Sequence, residues 1–154
     1  MSKDARAACG LSIRPFEMAD YEAVFALWQA SAPGIEIRPS DSRVEVEKRC
    51  MRDRDLFVVA ERDARLIGVV MGGWDGRRGW IHHLAVAAEA QGQGVASALV
   101  LHLEERLRTL GCLKVNLLVR VENEAARSVY ARLGYGEARN LVAMGKELQS
   151  PAAE

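Results

Sequence analysis

The chain has 154 residues, 49% of them hydrophobic and 27% charged, which suits one core burying roughly 70% of the unfolded surface and argues against two domains or whole-chain disorder. Lys+Arg and Asp+Glu both number 21, so the formal net charge is zero. That balance gives no electrostatic reason to expect a nucleic-acid backbone or an anionic membrane surface as partner.

Residues 1–10 carry Lys3, Asp4 and Arg6 and no apolar run that would serve as a signal-peptide core. No stretch approaches the roughly 18 apolar residues of a membrane span. Three cysteines, Cys9, Cys50 and Cys112, are widely spaced and form no CxxC pair, so free thiols in a reducing cytoplasm are expected rather than a zinc site or a disulfide framework. The organisation expected is a flexible amino terminus over 1–10, a single domain over 11–149 and a flexible tail over 150–154.

Leu11, Ile13 and Pro15 begin a short strand. Asp20 is placed to cap a helix whose Val24, Leu27, Trp28 and Ser31 share a face, and Pro33-Gly34 ends it. Pro39-Ser40-Asp41 opens a second, highly charged helix to about Arg52, with Val44, Cys50 and Met51 as its thin apolar content. Leu56–Glu61 and Leu66–Trp74 read as a hairpin around residues 62–65, and Trp80–Val86 as a third antiparallel strand. After Gly92 and Gly94 comes a long amphipathic helix, with Ala96, Leu99, Val100, Leu103, Leu107 and Leu110 on one face and Gly111 at its end. Val115–Val119 is a buried strand. Asn123 is positioned to cap a last helix bearing Ala126, Val129, Tyr130 and Leu133, stopped by Gly134, and Leu141–Leu148 is expected to add a final strand.

The strand, the turn with Gly92 and Gly94, and the helix that follows gather backbone N–H groups at a helix amino terminus, an arrangement suited to pyrophosphate. Such a turn can also simply turn. Gly92-x-Gly94-x-x-Ser97 approximates the dinucleotide fingerprint but lacks the third glycine and lies past mid-chain, after antiparallel strands.

Leu84-Ala85-Val86, then Gln91-x-x-Gly94-x-Ala96, then Asn123-x-x-Ala126-x-x-x-Tyr130-x-x-Leu133-Gly134-Tyr135 resembles the motif series of GNAT-type N-acetyltransferases over about residues 56–148. The resemblance implies an α/β acyl-CoA N-acyltransferase fold, with a mixed, mostly antiparallel central sheet flanked by about four helices. It implies acetyl-CoA as co-substrate, lying in a V-shaped opening between the strands at 80–86 and 115–119. The cofactor-binding residues would be Leu84, Ala85 and Val86 on the strand, Gln91, Gly92, Gln93, Gly94, Val95 and Ala96 in the turn, and Asn123 and Tyr130. The Leu84 N–H would polarise the thioester carbonyl.

Transfer to an amine needs two proton movements. An ammonium with pKa near 10.4 must lose a proton, and a departing thiolate with pKa around 8.5 gains one. By the resemblance Tyr130 is the acid, although periodicity alone would make it a core aromatic. Trp80 and Leu118 stand where many relatives carry a glutamate base. His82 is therefore the candidate base, with His83 or a water chain as alternatives, and strand parity turns the two histidines to opposite faces, His82 with Trp80 and Leu84. No metal site is expected. The function implied is acetyl transfer from acetyl-CoA to a primary amine of a small molecule or a peptide. The alternative is a non-catalytic acetyl-CoA-binding module that assists a partner. A homodimer through the edge of the last strand stays open.

Overall fold

The computed structural model describes residues 10–149; the expectations for residues 1–9, Cys9 among them, and for 150–154 lie outside the described residues. One sheet holds β1 (Ser12–Pro15), β2 (Phe57–Arg62), β3 (Arg65–Trp74), β4 (Gly79–Val86) and β5 (Val115–Leu117), in that order. Neighbours β1 to β4 pair antiparallel, and β5 lies parallel to β4. Helices α1 (Tyr21–Ala30) and α2 (Arg43–Arg52) pack on one face, α3 (Val95–Thr109) and α4 (Glu124–Arg132) on the other. This is the mixed sheet with four helices that the sequence predicts.

Strands β2 and β3 are near-continuous apolar runs because both their faces are covered. Phe57, Val59, Val69 and Met71 join Trp28 and Val46 beneath α1 and α2, while Val58, Ala60, Ile67 and Val70 join the helix on the other side. On that side Leu99, Leu103 and Leu107 of α3 recur at the helical i, i+4 spacing and sit against Gly68, Gly72 and Gly79. A Cβ on Gly72 would fall 2.8 Å from the Leu56 carbonyl oxygen and also into the Leu103 methyls. Gly72→Ala is therefore expected to lower stability by about 1–3 kcal/mol through overpacking. Urea unfolding checks this, and a loss under about 0.5 kcal/mol would mean that Leu103 moves aside freely.

Local signals explain most boundaries. Asp63 and Ala64 hold positive φ in the two-residue β2–β3 turn, the geometry that matches strand twist. Gly111, at φ +87°, ends α3 with two reverse bonds, Gly111 N–H to the Arg108 carbonyl (2.9 Å) and Cys112 N–H to that of Leu107 (3.0 Å). Asn123 caps α4, its Oδ1 accepting the Ala126 N–H at 3.1 Å.

Four expectations need correction. The Asp20 carboxylate does not cap α1; it accepts from two Arg14 guanidinium nitrogens (2.7 and 2.9 Å) and the Glu17 N–H (2.9 Å). Hydrogen bonding from Arg14 holds that carboxyl below the usual range against its burial. In α2 the anchor is Val46, 1% exposed, whereas Val44 and Met51 face solvent. Strand β5 stops at Leu117, two residues early. No strand forms over 141–148, where Leu141, Val142, Met144 and Leu148 are all exposed. A strand needs a paired edge and a covered face, and that segment has neither.

Candidate active site

β4 carries a bulge. Met71 pairs with His83 and Gly72 with Ile81, leaving His82 as the extra residue. Pairing between β4 and β5 runs only from Gly79↔Val115 to Ile81↔Leu117, so the two strands part at the bulge. The Ala87 N–H bonds the Ile67 carbonyl of the β3 side, and antiparallel alternation then turns Ala85 toward β3 and leaves Leu84 and Val86 facing the opening. The Val86 carbonyl already accepts from Gln91 Nε2 at 3.1 Å. Ala85 buries its methyl among Phe57, Val59 and Val69.

The bulge also breaks the strand parity on which the sequence reading relied. Both histidines lie on the α1/α2 face, while Leu84 packs on the α3 side. His83 stacks edge-on against Trp28, with ring centroids 5.1 Å apart, and its Nε2 donates to Asp41 Oδ1 at 2.9 Å. Its Nδ1 stands 2.9 Å from the His82 carbonyl oxygen. Asp41 is only 4% exposed. Burial opposes its charge, yet hydrogen bonds from His83 and the Arg38 N–H hold its carboxyl below the usual carboxylate range. Neither Asp41 nor Trp28 was singled out for the site in the sequence, where both read as parts of helix signals.

The His82 ring lies on the α1/α2 face over Gly73, beside Arg49 of α2. A Cβ on Gly73 would stand 3.2 Å from His82 Nε2 and 2.5 Å from Arg49 Nη2. Burial of the ring, then the Arg49 guanidinium and His83, push His82 down to about 4, so it is neutral at pH 7. An unfolded histidine titrates near 6.5. Between about pH 6.5 and 4 the unfolded chain takes up a proton that the folded chain refuses, so stability falls as the pH is lowered through that window. His82→Ala is expected to flatten this part of the curve, as urea midpoints at about pH 7, 6 and 5 would register. An unchanged slope would assign the loss to other groups.

The glycine turn lies at the outer end of the opening. Gly92 and Gly94 hold φ of +73° and +80°, with nothing within 4 Å of where a Cβ would be. The first helical bond of α3 runs from the Ala98 N–H to the Gly94 carbonyl (3.0 Å), so the N–H groups of Val95, Ala96 and Ser97 have no helical acceptor. The side chains of Gln91 and Gln93 are used locally, on the Val86 and Glu89 carbonyls. What this turn offers an anion is backbone.

Tyr130 lies on the α3/α4 face, 7% exposed, in one cluster with Ile81, Val95 and Leu99, against which Leu84 packs. Burial raises its phenol well above the ordinary value, so it stays protonated. It meets Tyr135 edge-on at 5.4 Å, and Tyr135 donates to Glu104 at 2.9 Å. Asn123 Nδ2 lies over Gly34, 2.9 Å from where its Cβ would be. Tyr130 and His82 thus flank the opening from opposite faces of the sheet. Trp80 bonds Asp75 Oδ2 at 3.1 Å in the β3–β4 turn, and the Cys112 thiol donates to the Lys114 carbonyl at 3.3 Å, both packing roles. Among the described residues no cluster of three or more His, Cys, Asp or Glu can hold a metal ion, and no helix is long and apolar enough to cross a membrane.

A bulged strand that parts from its parallel neighbour beside an open helix amino terminus forms the kind of opening that the motif resemblance implies. A profile of the acetyltransferase (GNAT) family matches residues 21–135. An acetyltransferase of Pectobacterium atrosepticum is 39% identical over 139 residues, covering 90% of this chain and 96% of its own length. One of Sodalis glossinidius is 38% identical over the same shares. Among solved structures, Ard1 from Thermoplasma volcanium superposes with a TM-score of 0.73 at 24% identity, over 81% of this chain and 82% of that one. The PaiA N-acetyltransferase from Thermoplasma acidophilum, solved with coenzyme A, gives 0.72 at 21% identity, over 80% and 87%. The chain belongs to the GNAT acetyltransferase family. It is an acyltransferase, which favours catalysis over the silent binding module.

Proposed function

We propose that this enzyme moves the acetyl group of acetyl-CoA directly to a primary amine of a small molecule or peptide, with no covalent enzyme intermediate. The observation that carries the reading is the opening itself. It runs from a free strand edge at Leu84 and Val86 to the unpaired N–H groups of Val95, Ala96 and Ser97. A ligand with an extended amide-bearing arm and a pyrophosphate head matches both ends, and the open space over Gly92 and Gly94 admits the head.

Each residue then has a defined task. The Gln91–Ala96 turn, with Gly92, Gln93, Gly94 and Val95 between, binds the pyrophosphate through its backbone. The Leu84 and Val86 N–H groups pair with the pantetheine arm as a neighbouring strand would. The Leu84 N–H polarises the thioester carbonyl, a contribution of about 10²–10³ in rate. Acetyl-CoA supplies the activated acetyl group. Tyr130, which its burial keeps protonated, donates a hydrogen bond from its phenol to the departing sulfur as the C–S bond breaks. His82, neutral at pH 7, takes the amine proton through water, since it is too weak a base for a complete transfer on its own. Asn123 caps α4 and so fixes Tyr130, while its Nδ2 remains for the pantetheine.

A thermal-shift titration with acetyl-CoA, with NAD and ATP as controls, tests the binding half. Ligand at one hundred times its Kd adds about 2.7 kcal/mol of stability, a plain shift in melting temperature. A larger shift with NAD, or none with acetyl-CoA, overturns the proposal. CoA release with an amine panel tests the transfer.

A further inference from the structure

We propose that Arg49 binds a carboxylate on the acceptor, so that the amines acetylated here are amino carboxylates; the inference rests on the acetyl-transfer reading above. Arg49 lies in the last turn of α2, three residues past the buried Val46, and its Nη2 donates to the Gly72 carbonyl. Gly73 makes room for it. The guanidinium and the His82 imidazole converge over that one glycine, where β4 leaves β5.

The guanidinium has charge and donors to spare. None of the ion pairs among the described residues includes Arg49. Asp53, the carboxylate whose field reaches it, stands 3.8 Å from Arg52 Nε instead. Arg49 Nε is buried with no hydrogen-bond partner and lies out of a ligand's reach, so an incoming carboxylate would meet the terminal Nη atoms, of which Nη2 also bonds the Gly72 carbonyl. A strap between α2 and β3 needs only one N–H to a carbonyl, as the exposed Arg52 shows one turn later by donating to Trp74 at 3.1 Å. A half-buried guanidinium with unused donors is suited to a planar anion held by two parallel bonds.

The neighbouring His82 gives the spacing. His82 Nε2 and Arg49 Nη2 stand 3.2 and 2.5 Å from the one Cβ position of Gly73, close enough together for an α- or β-amino acid to offer its amine to the imidazole and its carboxylate to the guanidinium. The fixed cation also favours loss of the proton from an ammonium beside it, which lightens the task of a weakly basic histidine.

The test compares matched acceptors at saturating acetyl-CoA, α- and β-amino acids against their carboxamides, with CoA release as the readout. The expected result is kcat/KM at least tenfold higher for the acids. Arg49→Gln should shrink that preference at least tenfold, mainly through KM, and Arg49→Lys should restore part of it, with melting temperatures confirming that both variants fold. Amides acetylated as well as acids, or both series falling equally in Arg49→Gln, would overturn the inference while leaving acetyl transfer intact. No turnover of either series by a protein that still binds acetyl-CoA also overturns it. Failure to bind acetyl-CoA sinks the underlying reading as well.

Discussion

Tyr130→Phe is expected to lower kcat by about 10²–10⁴, the range over which a positioned acid contributes, while the Kd for acetyl-CoA changes far less. The substitution removes one oxygen from a ring that is 7% exposed and packed among Ile81, Val95 and Leu99, so shape and packing are kept. Apolar burial around Tyr130 raises its phenol far above neutrality. A group held protonated at every physiological pH is a poor base and a dependable donor. The loss should therefore fall on leaving-group departure and shrink for acyl donors whose thiol has a lower pKa. Steady-state kinetics with acetyl-CoA and with an acidic aryl thioester distinguish this from a packing defect, which would slow both donors alike. Wild-type kcat in Tyr130→Phe would remove the acid from this residue.

Gly94→Asp should weaken acetyl-CoA binding at least 100-fold and leave the fold intact. Gly94 stands at φ +80° with open space where a side chain would begin, and Asp tolerates that backbone region better than most residues. Asp is also a favoured residue at a helix amino terminus. Its charge, however, would stand among the N–H groups proposed to hold the pyrophosphate. At about 4 Å and an effective dielectric of about 20, two unit charges repel by roughly 4 kcal/mol, or 10²–10³ in affinity. Gly94→Asn carries nearly the same shape without the charge and should bind within a few-fold of wild type. Calorimetric titration of the three proteins decides the matter: equal affinity for the Asp and wild-type forms would exclude the turn from the binding site.

Much of this architecture is legible in residue order because its signals are local. Gly111 and Gly134 stop helices where positive φ is needed, and Asn123 caps where its short side chain reaches the Ala126 N–H. The Gln91–Ala96 turn is legible because its chemistry is that of its own backbone. The sites of misreading share the opposite property. Asp20 has the sequence position of a cap, but Arg14 and Glu17 compete for its carboxylate, and that competition depends on β1 and the turn before α1 meeting in space. The apolar pattern at 141–148 suggests a strand, yet a strand exists only with a partner edge.

The active-site face follows the same division. By itself the sequence determined the family, the mixed sheet with four helices, the glycine turn and the placing of Tyr130 on a buried helix face, since periodicity and backbone chemistry are written residue by residue. Only the tertiary structure decided where the histidines point, because a one-residue bulge at His82 reverses the parity on which any strand reading depends. It alone brought Asp41 to His83 across 42 positions of chain, and Arg49 to His82 over Gly73. Contacts between distant segments arise from packing two helices onto one sheet face, and no short stretch of residues encodes them.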